Sequence, residues 1–348
     1  MPTKTPAYGA QSATTPLAPF PIDRRDPTPR DIQIDILFCG VCHSDIHFAR
    51  GEWPFSNFPC VPGHEIVGRV TKVGKEVKGF KAGDLAAVGC MVDSCRECAC
   101  CSRGLEQYCQ KGMTLTYGSP DIHMPGKMTY GGYSRSITVD ERYVLRLSER
   151  LDPAAAAPLL CAGITTFNAL RNSGARPGDV VAVLGLGGLG HLGVQYAAKM
   201  GFKTVAIARG KDKETLARQL GASSYIDSQS QNPAAELLKL GGASVIISTV
   251  TVGDAMSAVQ SGLAVNGTLM VIGAAESLQV APITLLMGRR SVKGWYSGTA
   301  IDSQDTLAFS ARLGVRSMNE LFPLERVNEA YARMMSGKAR FRVVLKMK

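Results

Sequence analysis

The chain has 348 residues, 45% apolar and 20% charged, with ten cysteines and a net charge of +10. That length exceeds one core and predicts two domains. The cysteines are too sparse for a secreted disulfide scaffold, and no stretch offers the roughly 18 uninterrupted apolar residues of a membrane span. The basic residues are dispersed, with no run longer than a pair such as Arg289-Arg290; this speaks against a nucleic-acid binder and suits a solvated surface that favours an anionic ligand.

Residues 1–21 are rich in Pro, Thr and Ala and lack a basic start followed by an apolar run, so no signal peptide is read and a cytoplasmic protein is expected. Residues 31–148 read as short strands: Ile32–Ile36 alternates, Val67–Val73 is β-rich, and Gly74, Gly79, Gly83 and Gly89 punctuate turns. This texture predicts an all-β barrel with long functional loops. Within it Cys95, Cys98, Cys101 and Cys109 are spaced C-x2-C-x2-C-x7-C. Short C-x2-C steps let consecutive sulfurs turn onto one ion, which favours tetrahedral zinc over disulfides. Four sulfurs leave no open position, so the expected role is structural.

From Pro153 the texture changes. Strands are expected at Val180–Leu184, Thr204–Ala208, Ser244–Thr249 and Thr268–Ile272. Helices are expected at Leu189–Met200, Lys213–Leu220 and Ala255–Leu263. The alternation predicts a parallel, doubly wound sheet. The last 50 residues read as one helical stretch, Leu324–Met335, and a terminal strand, Phe341–Leu345. Both chain ends are expected in the β domain, with the other domain inserted between them.

Gly185-Leu186-Gly187-Gly188-Leu189-Gly190 follows the first of these strands and opens a helix through His191. The first glycine makes the turn, the second admits a pyrophosphate against the backbone, and the last lets helix pack on strand. The free N–H groups of the helix end then face the phosphates. The next strand ends in Ala208-Arg209-Gly210-Lys211. A site for NAD puts an acidic residue there, whereas Arg209, Lys211 and Lys213 suit the 2′-phosphate of NADP(H).

Cys42 lies in Cys39-Gly40-Val41-Cys42-His43-Ser44-Asp45-Ile46-His47; Gly63-His64-Glu65 follows, and Cys161 precedes the glycine loop. By spacing alone, Cys161 reads more readily as a buried small hydrophobe than as a ligand, and His64 can equally be a satisfied core histidine.

Motifs along nearly the whole chain decide between these readings: Cys39–His47, Pro62-Gly63-His64-Glu65, the four-cysteine lobe, Gly131-Gly132-Tyr133-Ser134, Pro158–Thr165 and Gly185–Gly190. Together they resemble the zinc-dependent medium-chain dehydrogenase/reductase family, most closely its cinnamyl alcohol dehydrogenase-like branch. The resemblance implies a GroES-like β-barrel catalytic domain at 1–153 and 295–348, with the structural zinc lobe at 90–112. It also implies a Rossmann domain at 154–294 and an active site in the cleft between the domains.

Carried over, Cys42, His64 and Cys161 hold a catalytic zinc with one open position, and Glu65 is an adjacent or alternate ligand. Asp45 orients His64 or an Arg near the metal. Ser44 receives the alcohol proton and touches the cofactor, and His47 passes that proton to solvent through the cofactor ribose, a duty suited to an imidazole. Thr165, Thr249 and Gly273 line the nicotinamide end, and Trp295, Tyr296 and Ser297 border it. Arg342 contacts the pyrophosphate, with Arg340 a near rival in register. Cys39, Cys60, Cys90 and Cys100 are not expected to be ligands.

The activity implied is zinc-dependent, reversible hydride transfer between NADP(H) and a primary alcohol or aldehyde, with two zinc ions per chain. Trp53, Phe55, Trp295 and Tyr296 would line a pocket for aromatic and medium aliphatic substrates. Plant enzymes of this branch carry Trp where Thr114 stands here, which points to broader specificity. The alternatives are a polyol dehydrogenase of the same fold or, in another class, a zinc-ribbon nucleic-acid-binding protein. The resemblance also implies a homodimer, with no nucleic-acid or membrane partner.

Overall fold

A computed structural model describes residues 3–347. The chain forms two compact units, Met1–Cys161 with Gly298–Lys348, and Ala162–Ser297. The divisions expected at 153/154 and 294/295 therefore shift toward the C-terminus. The short helix Pro153–Ala156 and the turn Ala157–Leu160 pack on the strands of the first unit, because Ala156, Ala157, Leu159 and Leu160 are buried there.

The first unit is built on a seven-stranded sheet. Leu145–Arg146, Leu85–Val88, Ile66–Val73, Asp31–Val41, Arg342–Lys346 and Asn319–Pro323 lie side by side, and Ser136–Asp140 adds to Asp31–Val41. In the strand Asp31–Val41, Ile32, Ile34 and Ile36 point into the core and Asp35 is exposed. A register shift against Ile66–Val73 falls between Ile36 and Phe38. The extra residue turns the odd positions Cys39 and Val41 inward, so the strand ends in the core at Cys42. Each of these buried aliphatic side chains contributes about 1.5–3 kcal/mol.

The carboxy-terminal strand pairs antiparallel with this same strand end, Val343 opposite Val41 and Leu345 opposite Cys39. That pairing places Arg342 level with the chain leaving the sheet at Cys42.

One feature of the last 50 residues departs from expectation. A second helix, Ala300–Leu313, precedes the expected one, which runs from Val327 to Met335 after a single turn. Its buried face is Ser303, Thr306, Leu307 and Ser310, so it lacks the apolar period that marks a helix in sequence. Thr306 and Ser310 donate their hydroxyl groups to the carbonyls of Asp302 and Thr306, which makes their burial tolerable. The Thr299–Asp302 capping box starts the helix and Gly314, in the left-handed region, ends it.

The second unit is a six-stranded parallel sheet ordered Ser224–Asp227, Lys203–Ala208, Val180–Leu184, Ala243–Ser248, Leu263–Val271 and Ser291–Gly294. The strand order reverses at Val180–Leu184, the switch point beside which doubly wound sheets bind ligands. The helix expected at Ala255–Leu263 stops at Ala258, and Leu263 already begins the next strand. The helix Ala162–Arg171 opens the unit. Among the described residues no single helix is long and apolar enough to cross a membrane.

Candidate active site

The structure brings Cys42, His64, Glu65 and Cys161 together, all in the first unit, with one donor atom from each within 4.8 Å of the others. Cys42 caps the helix His43–Ala49, and Cys161 follows the turn Ala157–Leu160. Their sulfurs are 3.9 Å apart. A disulfide requires about 2.05 Å, whereas two thiolates on one tetrahedral zinc, at bonds of about 2.3 Å, stand about 3.8 Å apart. The hydrogen bond from Cys161, together with His64, holds the Cys42 thiol well below its ordinary range despite burial; the same bond raises Cys161. Two sulfurs this close ionise together only around a cation, so the donor set fits zinc.

Asp45 orients the histidine. Its carboxylate is fully buried. Oδ1 accepts from His64 Nδ1 at 3.0 Å and from the Gly63 amide at 3.0 Å. Oδ2 accepts from the Cys42 amide at 2.9 Å and from the Tyr133 hydroxyl at 3.1 Å. Fixing the proton on Nδ1 leaves Nε2 to bind a metal. Burial opposes protonation of His64, but the Asp45 charge outweighs it and raises the imidazole pKa.

Glu65 is also fully buried. Its Oε1 meets Arg342 Nη2 in an ion pair, and its Oε2 has no hydrogen-bond partner. Burial pushes its carboxyl up to about 7, while Arg342 pulls the other way. Gly40 is required here, since a Cβ at that position would overlap Glu65 Oε2. Arg342 is thus the counter-ion of Glu65, with its Nε left without a partner. Arg340, the rival in register, is exposed.

Ser44 Oγ lies 3.6 Å from Cys42 Sγ. His47, one turn on, bonds through Nδ1 to the Glu52 carboxylate and stacks on Trp53 at 5.6 Å. Trp53 in turn contacts Phe55, which is 57% exposed. Sequence reasoning missed Glu52, whose only signal is a carboxylate five residues after His47. It also missed Tyr117, whose ring lies against His64 at 5.8 Å, and the nearness of Cys90, whose thiol is held down first by its hydrogen bond with Cys161. Trp295 and Tyr296 belong to the second unit, where Lys293 sits over the Trp295 ring and Ser297 is buried.

The lobe sulfurs of Cys95, Cys98, Cys101 and Cys109 also lie within 4.8 Å of one another, with Cys95 and Cys101 at 3.9 Å. Amides of Cys98, Cys101, Gln110 and Cys95 point at these sulfurs at 3.4–3.5 Å. Such donors favour thiolates, and the amides of Cys101 and Gln110 lower Cys98 to about 6. This set fits a closed four-sulfur zinc site with no vacancy for chemistry. Cys98→Ser is therefore expected to lower the melting temperature and remove one zinc per chain, while turnover per folded molecule is retained. Lost turnover in a fully folded variant would contradict the structural role.

In the second unit Gly185 has φ +96°, and a Cβ on Gly190 would overlap the Gly185 carbonyl. Gly187 faces open space, and Gly188 is half-buried. Leu186 is buried and Leu189 precedes the helix Gly190–Lys199. His191 is fully buried, with Nδ1 bonded to the Gly187 carbonyl, so it braces the loop from beneath. Thr249 Oγ1 donates to Leu184 O at 2.9 Å, and Gly273 packs on the Val250 carbonyl. Thr165 lies half-buried on the helix Ala162–Arg171. Arg209 and Lys211 are exposed and Lys213 is half-buried, just past the strand Lys203–Ala208. Asp227 accepts from the Gly210 amide at 2.7 Å and fixes that turn.

Residues 28–149 match the family described as alcohol dehydrogenase GroES-like domain, and residues 188–312 match zinc-binding dehydrogenase. The chain is 44% identical over 345 residues to aldehyde reductase YahK of Escherichia coli (strain K12), covering 98% of both. Among solved structures, it is similar to a cinnamyl alcohol dehydrogenase of Sorghum bicolor (TM-score 0.91, 36% identity, covering 99% of this chain and 98% of that one). It is equally similar to the CAD of Helicobacter pylori complexed with NADP(H) (TM-score 0.91, 34% identity, 100% and 99% covered).

Proposed function

The chain belongs to the zinc-dependent medium-chain dehydrogenase/reductase family, in its cinnamyl alcohol dehydrogenase-like branch, and from that premise we propose that it is an NADP(H)-dependent aldehyde reductase and alcohol dehydrogenase of broad specificity. The observation that carries the reading is the convergence of Cys42, Cys161 and His64, the last oriented by Asp45. Two sulfurs and one imidazole leave a zinc ion one open position, the arrangement of a catalytic rather than a structural site. When bound, zinc supplies a Lewis acid for the carbonyl oxygen and NADPH supplies the hydride.

The chain's own residues hold the substrate and manage the proton. Ser44, beside Cys42, carries the hydroxyl that exchanges a proton with the substrate oxygen. His47, tied at Nδ1 by Glu52, keeps Nε2 for proton exchange with solvent. Trp53, Phe55 and Tyr117 give the metal site an apolar, aromatic flank that favours benzyl, cinnamyl and medium aliphatic aldehydes over polyols. Arg342 Nε, buried and unpartnered, is a donor available to an anionic ligand.

In the nucleotide unit, Gly187 gives a pyrophosphate access to the backbone, and Arg209, Lys211 and Lys213 supply the cations for a 2′-phosphate. Arg209→Ala is expected to raise the KM for NADPH about 10- to 100-fold, as for a lost charge-assisted hydrogen bond, while the KM for NADH stays nearly unchanged. Equal effects on both cofactors would remove the basis for NADP(H) preference. A homodimer joined through the sheet edge Ser291–Gly294 and the exposed Ile283, Leu286 and Met287 completes the reading. All ten cysteines are free, which suits a reducing cytoplasm.

The test is a panel of benzaldehyde, cinnamaldehyde and hexanal with NADPH, set against sorbitol oxidation with NADP. Fast aldehyde reduction supports the proposal. Sorbitol turnover exceeding benzaldehyde turnover would favour a polyol dehydrogenase, and salt-sensitive DNA binding without any turnover would favour the zinc-ribbon alternative.

A further inference from the structure

The Gly131-Gly132-Tyr133-Ser134 segment has no part in the chemistry described so far, yet its tyrosine ends on the carboxylate that orients His64. Tyr133 is fully buried, and its hydroxyl donates to Asp45 Oδ2 at 3.1 Å. Its ring and backbone are both held by neighbours. A Cβ on Gly63 would stand 2.7 Å from Tyr133 Cδ1, so the glycine before the metal-binding histidine is what lets the ring in. The Tyr133 amide donates to Pro62 O at 2.9 Å, its carbonyl accepts from the Tyr8 amide at 2.8 Å, and the Tyr331 ring packs edge-on at 6.1 Å. The phenol faces the Asp45 carboxylate, with the Tyr331 hydroxyl as a second polar neighbour. Burial, then the Asp45 charge, raises its pKa and keeps it a protonated donor.

We propose that Tyr133 is a positioning residue of the metal centre, pinning Asp45 so that His64 presents Nε2 in one fixed direction. The proposal rests on the metal-site reading above. Asp45 has two oxygens with opposite duties: Oδ1 faces His64, and Oδ2 is restrained by Tyr133 and the Cys42 amide. Removing the hydroxyl takes away one of the two close donors on Oδ2 and leaves the Cys42 amide, with the Tyr117 phenol also interacting with this carboxylate. The carboxylate is then freer to rotate about its Cβ–Cγ bond, and its less-shared charge pulls harder on the Nδ1 proton. Both changes act on the imidazole that holds the metal.

Tyr133→Phe isolates the effect, because the ring and all its packing remain. The experiment uses full-length protein with cobalt(II) in place of zinc. It reads the visible ligand-field bands, the rate of metal transfer to a chelator, and kcat and KM separately. Cys42→Ala supplies the spectrum of the lobe site alone. The expected result is a shifted active-site band, active-site metal loss roughly 10- to 100-fold faster, and a fall in kcat with little change in KM. A variant with wild-type spectrum and wild-type metal loss would overturn the proposal, whatever its melting temperature. Should Tyr133→Phe fail to fold, 3-fluorotyrosine at this position keeps both ring and hydroxyl as a stronger donor. Metal loss slower than wild type then supports the role, and unchanged or accelerated loss overturns it. A wild-type protein whose spectrum equals that of Cys42→Ala would instead overturn the metal-site reading itself, and this proposal with it.

Discussion

Replacing Cys42 or Cys161 with alanine is expected to abolish aldehyde reduction while NADPH binding survives. The two sulfurs stand 3.9 Å apart and, with His64, make up the three-donor set, so loss of either leaves only two of its ligands to hold the metal. Lewis-acid stabilisation of the developing alkoxide is worth several kcal/mol, which corresponds to three decades or more in kcat. The glycine loop and the Arg209 turn belong to the other unit, so cofactor affinity, read by NADPH fluorescence, stays near the wild-type value. Retained turnover in either variant would contradict the ligand assignment. Lost NADPH binding would show that the substitution had damaged the fold.

The second large effect is expected at Asp45. Asp45→Ala strips the acceptor from the His64 imidazole, the Cys42 and Gly63 amides and the Tyr133 hydroxyl at once. Unpaired buried donors cost about 1–3 kcal/mol each, so the first unit should lose at least about 3 kcal/mol, or roughly 6–12 °C in melting temperature. His64 also loses its tautomer lock, and metal affinity falls by a further 10- to 100-fold or so. Thermal unfolding of the metal-free protein separates the two contributions, since the packing loss persists without metal and the ligand loss does not. An unchanged melting temperature in the metal-free variant would show that Asp45 is not the hub of this network.

The difference between what was legible in the sequence and what was not has a physical cause. Val180–Leu184 and Gly185–Gly190 could be read directly because an apolar strand, a tight turn and a helix start are local properties of adjacent residues. The lobe was legible for the same reason, since its four cysteines lie within one short segment. Cys161 was not. It stands 119 residues from Cys42, and only resemblance to a family joined the two. The helix Ala300–Leu313 was missed because it buries hydroxyls, which satisfy themselves on its own carbonyls and so leave no apolar period. Glu52, Tyr117 and Tyr133 acquire their roles through contacts that exist only after folding: with His47, with the His64 ring and with Asp45. Arg342 shows the same limit. Its contact with Glu65 exists only because its strand pairs with Asp31–Val41, which no local pattern announces.

Anomalous diffraction at the zinc edge from crystals of the zinc-loaded protein tests the metal centre most directly. Two peaks per chain are expected, one enclosed by Cys95, Cys98, Cys101 and Cys109, the other bounded by Cys42 Sγ, Cys161 Sγ and His64 Nε2. A single peak in the four-cysteine lobe, with no density between Cys42, His64 and Cys161, would contradict the account.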